Sequence, residues 1–375
     1  SKNCLILKLS LIKPFSGIRP KKKFVKQVTS PNLSYLNNYK LNNKLNFANL
    51  LNYSNINKSK KMLQSLNDKG IIQQDRFNHF YLYRITYNKK KLLGIVGKIN
   101  LENYDDKKIL GHEETFAERI KKRKEQLLKF NSQISPIYTT YKSNPNSLKK
   151  LKNIFKFKPD YNFKSEDKCR HELWVVKTAN VEKLLKNYLK NIKKIYICDG
   201  HHRIQAMLKS KKKIAPMIVA FPDNQVNILD YNRVIKTRLK FEKIKKIISK
   251  NFSLNISKKN KKLKQNQIEM YANKKWHTLQ LLKQSKELDV TILRKLILNK
   301  ILKNKKNIKY VSGFKGKKVL EYFINTKKYD LAFKLYPTNI SEVLTYAEKK
   351  KYMPQKSTWF HPKPLDGLIS SKINS

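Results

Sequence analysis

Ile195-Tyr196-Ile197-Cys198 is an unbroken apolar run that leads straight into Asp199-Gly200-His201-His202-Arg203. An apolar run of this length closed by a glycine reads as a buried strand, and residues 202–209 read as a short helix. A buried strand needs neighbours at both edges and cover on both faces, which points to layers of helix on sheet. The flanking patterns agree. Alternation predicts strands over 80–86 and 92–99, joined through Asn88-Lys89-Lys90. Apolar residues at Phe116, Ile120, Leu127 and Leu128 predict an amphipathic helix over 115–130, with Thr115 as N-cap and Glu118 completing a capping box. Strands are expected at 137–141, 173–176 and 214–221, and a helix at 181–189.

From residue 241 the texture changes. Helical patterns over 241–249, 288–302 and 341–350 alternate with short strands over 278–281 and 330–335, and 258–267 reads as a charged surface loop. The expected organisation is an α/β (α+β) chain. A core spans 1–240, an α+β subdomain spans 241–350, and a closing segment over 351–375 packs on the core as ordered loop and a final strand.

Glycine narrows the search for chemistry. Only nine of 375 residues are glycine, against an ordinary usage of about 7%. In such a chain the retained glycines mark places where a Cβ would clash or φ must be positive. Four of them fall in four polar motifs: Gly17 in Pro14-Phe15-Ser16-Gly17-Ile18-Arg19-Pro20, Gly111 before His112-Glu113, Gly200 in the Asp-Gly-His-His-Arg run, and Gly367 after Met353-Pro354.

The strand-to-helix junction at Gly200 aims backbone N–H groups at whatever lies beyond the strand end, where the helix dipole favours an anion. Arg203 adds a fork suited to phosphate oxygens. His201 and His202 can donate to phosphate or move protons, and Asp199 can orient a histidine, hold a metal or act as base. A tight turn capped by Asp199 is the plainer alternative. Adjacent histidines make a poor zinc site, and no further ligand has suitable spacing, so no metal set is expected. His112-Glu113-Glu114-Thr115 lacks the second histidine of a zinc protease, because Phe116 stands in that place. His112 and Glu113 remain acid/base candidates, with helix capping as the alternative. Lys356, Ser357 and Thr358, within a proline-stiffened run, are phosphate-binding candidates, the alternative being a terminal strand packed by Trp359 and Phe360. Arg19 is a further anion-binding candidate, against a solvated turn.

Composition excludes several classes. With 40% hydrophobic and 11% aromatic residues the chain can build a core and is not a disordered protein. No apolar run approaches the ~18 residues of a membrane span. The chain opens on Ser1, so the start of the reading frame is expected upstream or processed. Three cysteines, Cys4, Cys169 and Cys198, without a C-x-x-C pair fit a reducing cytoplasm rather than a disulfide scaffold. Lys+Arg 84 against Asp+Glu 26 gives +58. Such a charge suits nucleic acid, but it is mostly lysine spread along the whole chain, alongside abundant asparagine and isoleucine. Drift of composition accounts for that better than a dedicated basic face does.

Taken together, Pro14-Phe15-x-Gly17-Ile18-Arg19-Pro20, Gly111-His112-Glu113-x-Thr115, Ser135-Pro136-Ile137, Asp199-Gly200-His201-His202-Arg203 and Met353-Pro354-x-Lys356-Ser357-Thr358-x-Phe360-x-Pro362-Lys363 resemble, in order, the family known as domain of unknown function 1015. That family is similar to the ParB/sulfiredoxin-like nucleotide-binding fold, whose nearest functional analogue is free-serine kinase. The resemblance implies that Gly200, His201, His202 and Arg203 bind the phosphates of ATP or ADP with Mg²⁺. It implies that Glu113 or Asp199 takes the proton of a small hydroxylated metabolite; the lack of a long apolar run leads us to expect no membrane partner. One departure is plain: the family usually carries Pro-Pro-Tyr-Asp after its first motif, and here Ser30-Pro31-Asn32-Leu33-Ser34-Tyr35 lacks the acid. The alternatives are a ParB-like nucleic-acid-binding protein and a non-catalytic nucleotide sensor.

Overall fold

A computed structural model describes residues 10–32, 45–50, 56–104, 108–210, 214–257, 262–302, 304 and 307–373. Cys4, the 33–35 part of the departure just noted, the 211–213 lysines and the first residues of the expected 258–267 loop lie outside the described residues. The chain divides into two compact units. One comprises 1–227, 344–352 and 362–375; the other comprises 228–343 and 353–361.

The first unit is built on a nine-stranded mixed sheet: β1 (Ile12–Lys13), β2 (Tyr81–Tyr87), β3 (Lys90–Ile99), β4 (Ile109–Leu110), β5 (Ile137–Tyr141), β6 (Tyr161–Lys164), β7 (Arg170–Val175), β8 (Ile195–Asp199) and β9 (Met217–Pro222). Its order is β4-β8-β5-β9-β3-β2-β7-β6, with β1 added against β3. β8 runs parallel to β4 and antiparallel to β5, and β5 runs parallel to β9. The β2–β3 hairpin turns at Asn88 and Lys89, both at positive φ, as a tight primed turn requires. Its helices include α1 (Ala117–Phe130), α2 (Pro145–Ile154), α3 (Ala179–Leu189) and α4 (His201–Leu208). Leu151 and Ile154 of α2 and Val181, Leu185 and Leu189 of α3 pack with Ile195, Ile197, Ile218 and Ile95 of the sheet in one apolar cluster.

Three local expectations are corrected. Helix α1 starts at Ala117, and its N-cap Phe116 has no side-chain cap, so the Thr115–Glu118 capping box is not formed. Phe116 is instead held extended, its N–H donated to Nε2 of His202 at 3.3 Å. The strand expected at 214–221 starts at Met217, because Pro216 has no N–H for a ladder. The strand expected at 173–176 begins earlier, at Arg170.

The second unit holds a six-stranded antiparallel sheet of β10 (Tyr231–Ile235), β11 (Phe252–Ile256), β12 (Gln267–Ala272), β13 (Lys275–Leu281), β14 (Ile308–Ser312) and β15 (Leu331–Leu335), in the order β11-β13-β12-β15-β10-β14. Helix α5 (Phe241–Ile248) and helix α6 (Gly316–Asn325) belong to it, and Leu320 of α6 packs on Val234, Val311 and Ala332. Strand β10 lies inside this unit, although a core ending at 240 would have claimed it. The expected closing segment is divided. Trp359–Phe360 pairs with Ile228–Leu229 in the second unit, while 362–375 belongs to the first. Among the described residues no helix is long and apolar enough to cross a membrane.

Candidate functional site

The site grows from the end of β8. Gly200 takes φ 111° and ψ 19° as the N-cap of α4. A Cβ there would lie 3.1 Å from Nε and Nη2 of Arg203 and 3.2 Å from Ile137, so both backbone and space call for glycine. The N–H groups of Arg203 and Ile204 bond the Gly200 carbonyl at 2.9 and 3.0 Å, so the turn sets the start of α4 directly at the end of β8.

Two histidines lie behind this turn, both buried. The main-chain N–H of His112 donates to Nε2 of His201 at 3.2 Å, and their rings meet edge to face with centroids 4.6 Å apart. His112 Nδ1 reaches the carbonyl of Ile197 at 3.0 Å, which fixes its proton on Nδ1. Because His201 Nε2 accepts, its proton sits on Nδ1, 3.5 Å from Oε2 of Glu113 and with no hydrogen-bond partner in place. Burial pushes His112 down to about 4. Burial, then the proximity of His112, pushes His201 well below its ordinary value. Both rings are therefore neutral at pH 7. Gly111 makes the arrangement fit: a Cβ there would stand 3.1 Å from the His201 ring. Glu113, Glu114, Gly111, His201 and Gln205 line a pocket of about 130 Å³. His202 turns away, stacked on Phe116.

The carboxyl-terminal segment completes the site. Lys363 Nζ lies 3.1 Å from Asp199 Oδ2. Arg203 donates to the carbonyls of Ser135 (3.0 Å) and Pro136 (3.4 Å) and to the Ser135 hydroxyl (3.2 Å). Asp366 is buried, and burial raises its pKa against the opposing effects of Ser135, Arg203 and Lys363. Main-chain bonds of Asp366 to Ser30, of Gly367 to Ile134 and of Ser370 to Ile18 stitch this segment into the unit.

Asp199, Gly200, His201, Arg203, His112 and Glu113 are thus brought together. Arg19 is not with them. Its guanidinium is held by both carboxylate oxygens of Asp75 and by Tyr161 Oη at 2.8 Å, and it is only 7% exposed. Lys356, Ser357 and Thr358 belong to the second unit. There Lys356 covers the Tyr231 ring, its carbonyl accepts from Arg233 at 3.0 Å, and the Ser357 hydroxyl turns back to the carbonyl of Pro354. Sequence reasoning missed Ser135, Lys363 and Asp366 as site residues. The available signal was that Asp366-Gly367 is the second of the chain's two Asp-Gly pairs.

No curated protein matches the chain. Among solved structures it resembles a free serine kinase variant in complex with ADP (13% identity, 72% of this chain and 91% of that one, TM-score 0.41). It also resembles SbnI with a C-terminal truncation from Staphylococcus aureus (11%, 71% and 82%, 0.41), and a conserved hypothetical protein from Pyrococcus furiosus (13%, 72% and 94%, 0.39). A family pattern matches residues 12–296, most of the chain. On that match the chain belongs to the family described as protein of unknown function (DUF1015).

Proposed function

We propose that this chain is a nucleotide-dependent phosphotransferase acting on the hydroxyl of a small metabolite such as free serine, with ATP or ADP and Mg²⁺. The observation that carries the reading is the convergence at one strand end of the Gly200 turn, the cations Arg203 and Lys363, and the His201–Glu113 pocket. The start of α4, Arg203 and Lys363 receive phosphate oxygens, and the bonds of Arg203 to Ser135 and Pro136 hold its fork at the strand end. Asp199, half-exposed beside Lys363, is the carboxylate suited to Mg²⁺, which when bound would supply charge neutralisation on phosphate oxygens. The pocket of about 130 Å³ beside them receives the small acceptor. Glu113 takes the acceptor's hydroxyl proton, and neutral His201 donates from Nδ1 to orient it.

The test is calorimetry of Mg·ATP and Mg·ADP at about 150 mM salt, where exposed lysines are screened, followed by phosphoryl transfer to serine. Saturable one-to-one binding lost in Arg203→Ala, and turnover lost in Glu113→Gln with binding retained, are expected. Weak, salt-sensitive binding unchanged in Arg203→Ala, with its fold intact by melting, overturns the reading.

A further inference from the structure

Asp167, Cys169 and His171 occupy alternate positions where the chain turns from β6 into β7, away from the cluster at Gly200. All three are buried, and one carboxylate oxygen, Sγ and one imidazole nitrogen lie within 4.8 Å of one another. A tetrahedral zinc with bonds of about 2.0–2.3 Å sets its ligand atoms about 3.3–3.8 Å apart. His171 Nε2 and Asp167 Oδ1 already stand at 3.5 Å. Ligands two residues apart close very short loops, so little chain entropy opposes their convergence.

Turn geometry explains only part of this. Asp167 Oδ1 accepts the N–H of Cys169 at 3.0 Å and the hydroxyl of Ser165, as a turn carboxylate does. The other oxygen, Oδ2, is buried with no hydrogen-bond partner, a costly state for a carboxylate. His171 also has the outer partner that metal-bound imidazoles use. Its Nδ1 lies 2.7 Å from Tyr83 Oη, and that oxygen accepts the N–H of Leu365 at 3.2 Å.

The geometry points to a single zinc(II) ion held by Cys169 Sγ, His171 Nε2 and a carboxylate oxygen of Asp167, with a small oxygen donor such as water in the fourth position. Thiolate, imidazole and carboxylate together favour zinc over the harder Mg²⁺ or Ca²⁺. On binding, the thiol S–H gives way to an S–metal bond and its proton leaves to solvent. The imidazole keeps its one proton on Nδ1, facing Tyr83 Oη. One thiolate and one carboxylate neutralise the two positive charges. The ion would fix the β6–β7 turn and, through Tyr83, the Leu365 end of the closing segment.

The full chain, stripped with chelator and titrated with Co²⁺, tests this. One equivalent should give a thiolate-to-cobalt charge-transfer band and the visible bands of a tetrahedral ion, and one equivalent of Zn²⁺ should erase them. Cys169→Ser should abolish the charge-transfer band, while Cys198→Ser, at the other buried free thiol among the described residues, should keep it. Tyr83→Phe should weaken affinity by about 10–100-fold. Should Cys169→Ser fail to fold, Asp167→Asn, which retains an amide oxygen for the turn bonds, should still lower Co²⁺ affinity at least tenfold. Less than a tenth of an equivalent bound by wild type, or a spectrum that survives both Cys169→Ser and Asp167→Asn, overturns the site.

Discussion

Lys363 Nζ and Asp199 Oδ2 lie 3.1 Å apart, although Asp199 ends β8 and Lys363 belongs to the carboxyl-terminal segment. The lysine is largely covered and the aspartate is 40% exposed. A half-exposed pair of this kind contributes less than about 1 kcal/mol to folding. Lys363→Met should therefore leave the melting temperature nearly unchanged. It should weaken Mg·ATP at least tenfold, because a cation beside the Gly200 turn is removed. A Kd within twofold of wild type, read by calorimetry, would separate Lys363 from the phosphate site.

The neutral histidine pair predicts an acid-sensitive fold. His112 is depressed to about 4 by burial and His201 is also lowered, whereas an unfolded histidine titrates near 6.5. Below about pH 6.5 the unfolded chain binds protons that the folded chain refuses. Stability is thus fully present above 6.5 and falls as pH drops toward 4. For His112 alone the loss at the acid end is on the order of 3 kcal/mol. Urea midpoints measured from pH 7.5 to 4.5 should decline in wild type and decline less in His112→Asn, whose side-chain amide can still donate to Ile197. Parallel declines would mean the ring titrates freely in the fold.

The elements legible in the sequence were those whose environment matches their side chains. Strands β2, β3, β5 and β8 alternate or run apolar because their faces are buried, and α3 and α5 carry a clear apolar stripe. Only Gln267 of strand β12 falls in the stretch that reads as a loop, and 268–272 give no signal of their own, because the buried positions of the strand include Gln267 and Glu269. The structure satisfies these through Gln280 and Lys317, partners that no local pattern reveals. Strands β11 and β14 lie at the edges of their sheet and are partly exposed, so they show little alternation. The same holds at the site. Asp199 to Arg203 announces itself through one local junction, while Ser135, Lys363 and Asp366 reach it only through tertiary pairing.

The two site glycines should differ. Gly200→Ala forces a side chain into φ 111° and within 3.1 Å of Arg203, a backbone cost of about 1–3 kcal/mol. Gly111→Ala presses on the His201 ring at 3.1 Å and touches Tyr104 Oη at an ordinary 3.7 Å, without positive φ. Gly200→Ala should lower both stability and Mg·ATP affinity. Gly111→Ala should act mainly on acceptor turnover by displacing His201. Equal losses in melting temperature and in nucleotide affinity for the two variants would contradict this division.

Arg19 tests whether a polar motif is a ligand site or a brace. Hydrogen bonds from Arg19 and Tyr81 outweigh burial and hold Asp75 below its usual carboxylate range. Tyr81 Oη in turn donates to Asp75 at 2.7 Å and accepts the N–H of Gly17 at 2.8 Å. The guanidinium thus ties the amino-terminal motif to β2 and β6. Breaking a buried pair by removing one partner strands the other charge, at a cost of about 3–5 kcal/mol. Arg19→Met should lower the urea midpoint by that order, and Asp75→Asn should do so comparably. At temperatures where both variants remain folded, Mg·ATP affinity should stay within twofold of wild type. A selective loss of nucleotide binding in Arg19→Met, with its melting temperature intact, would reassign the residue to the phosphate site.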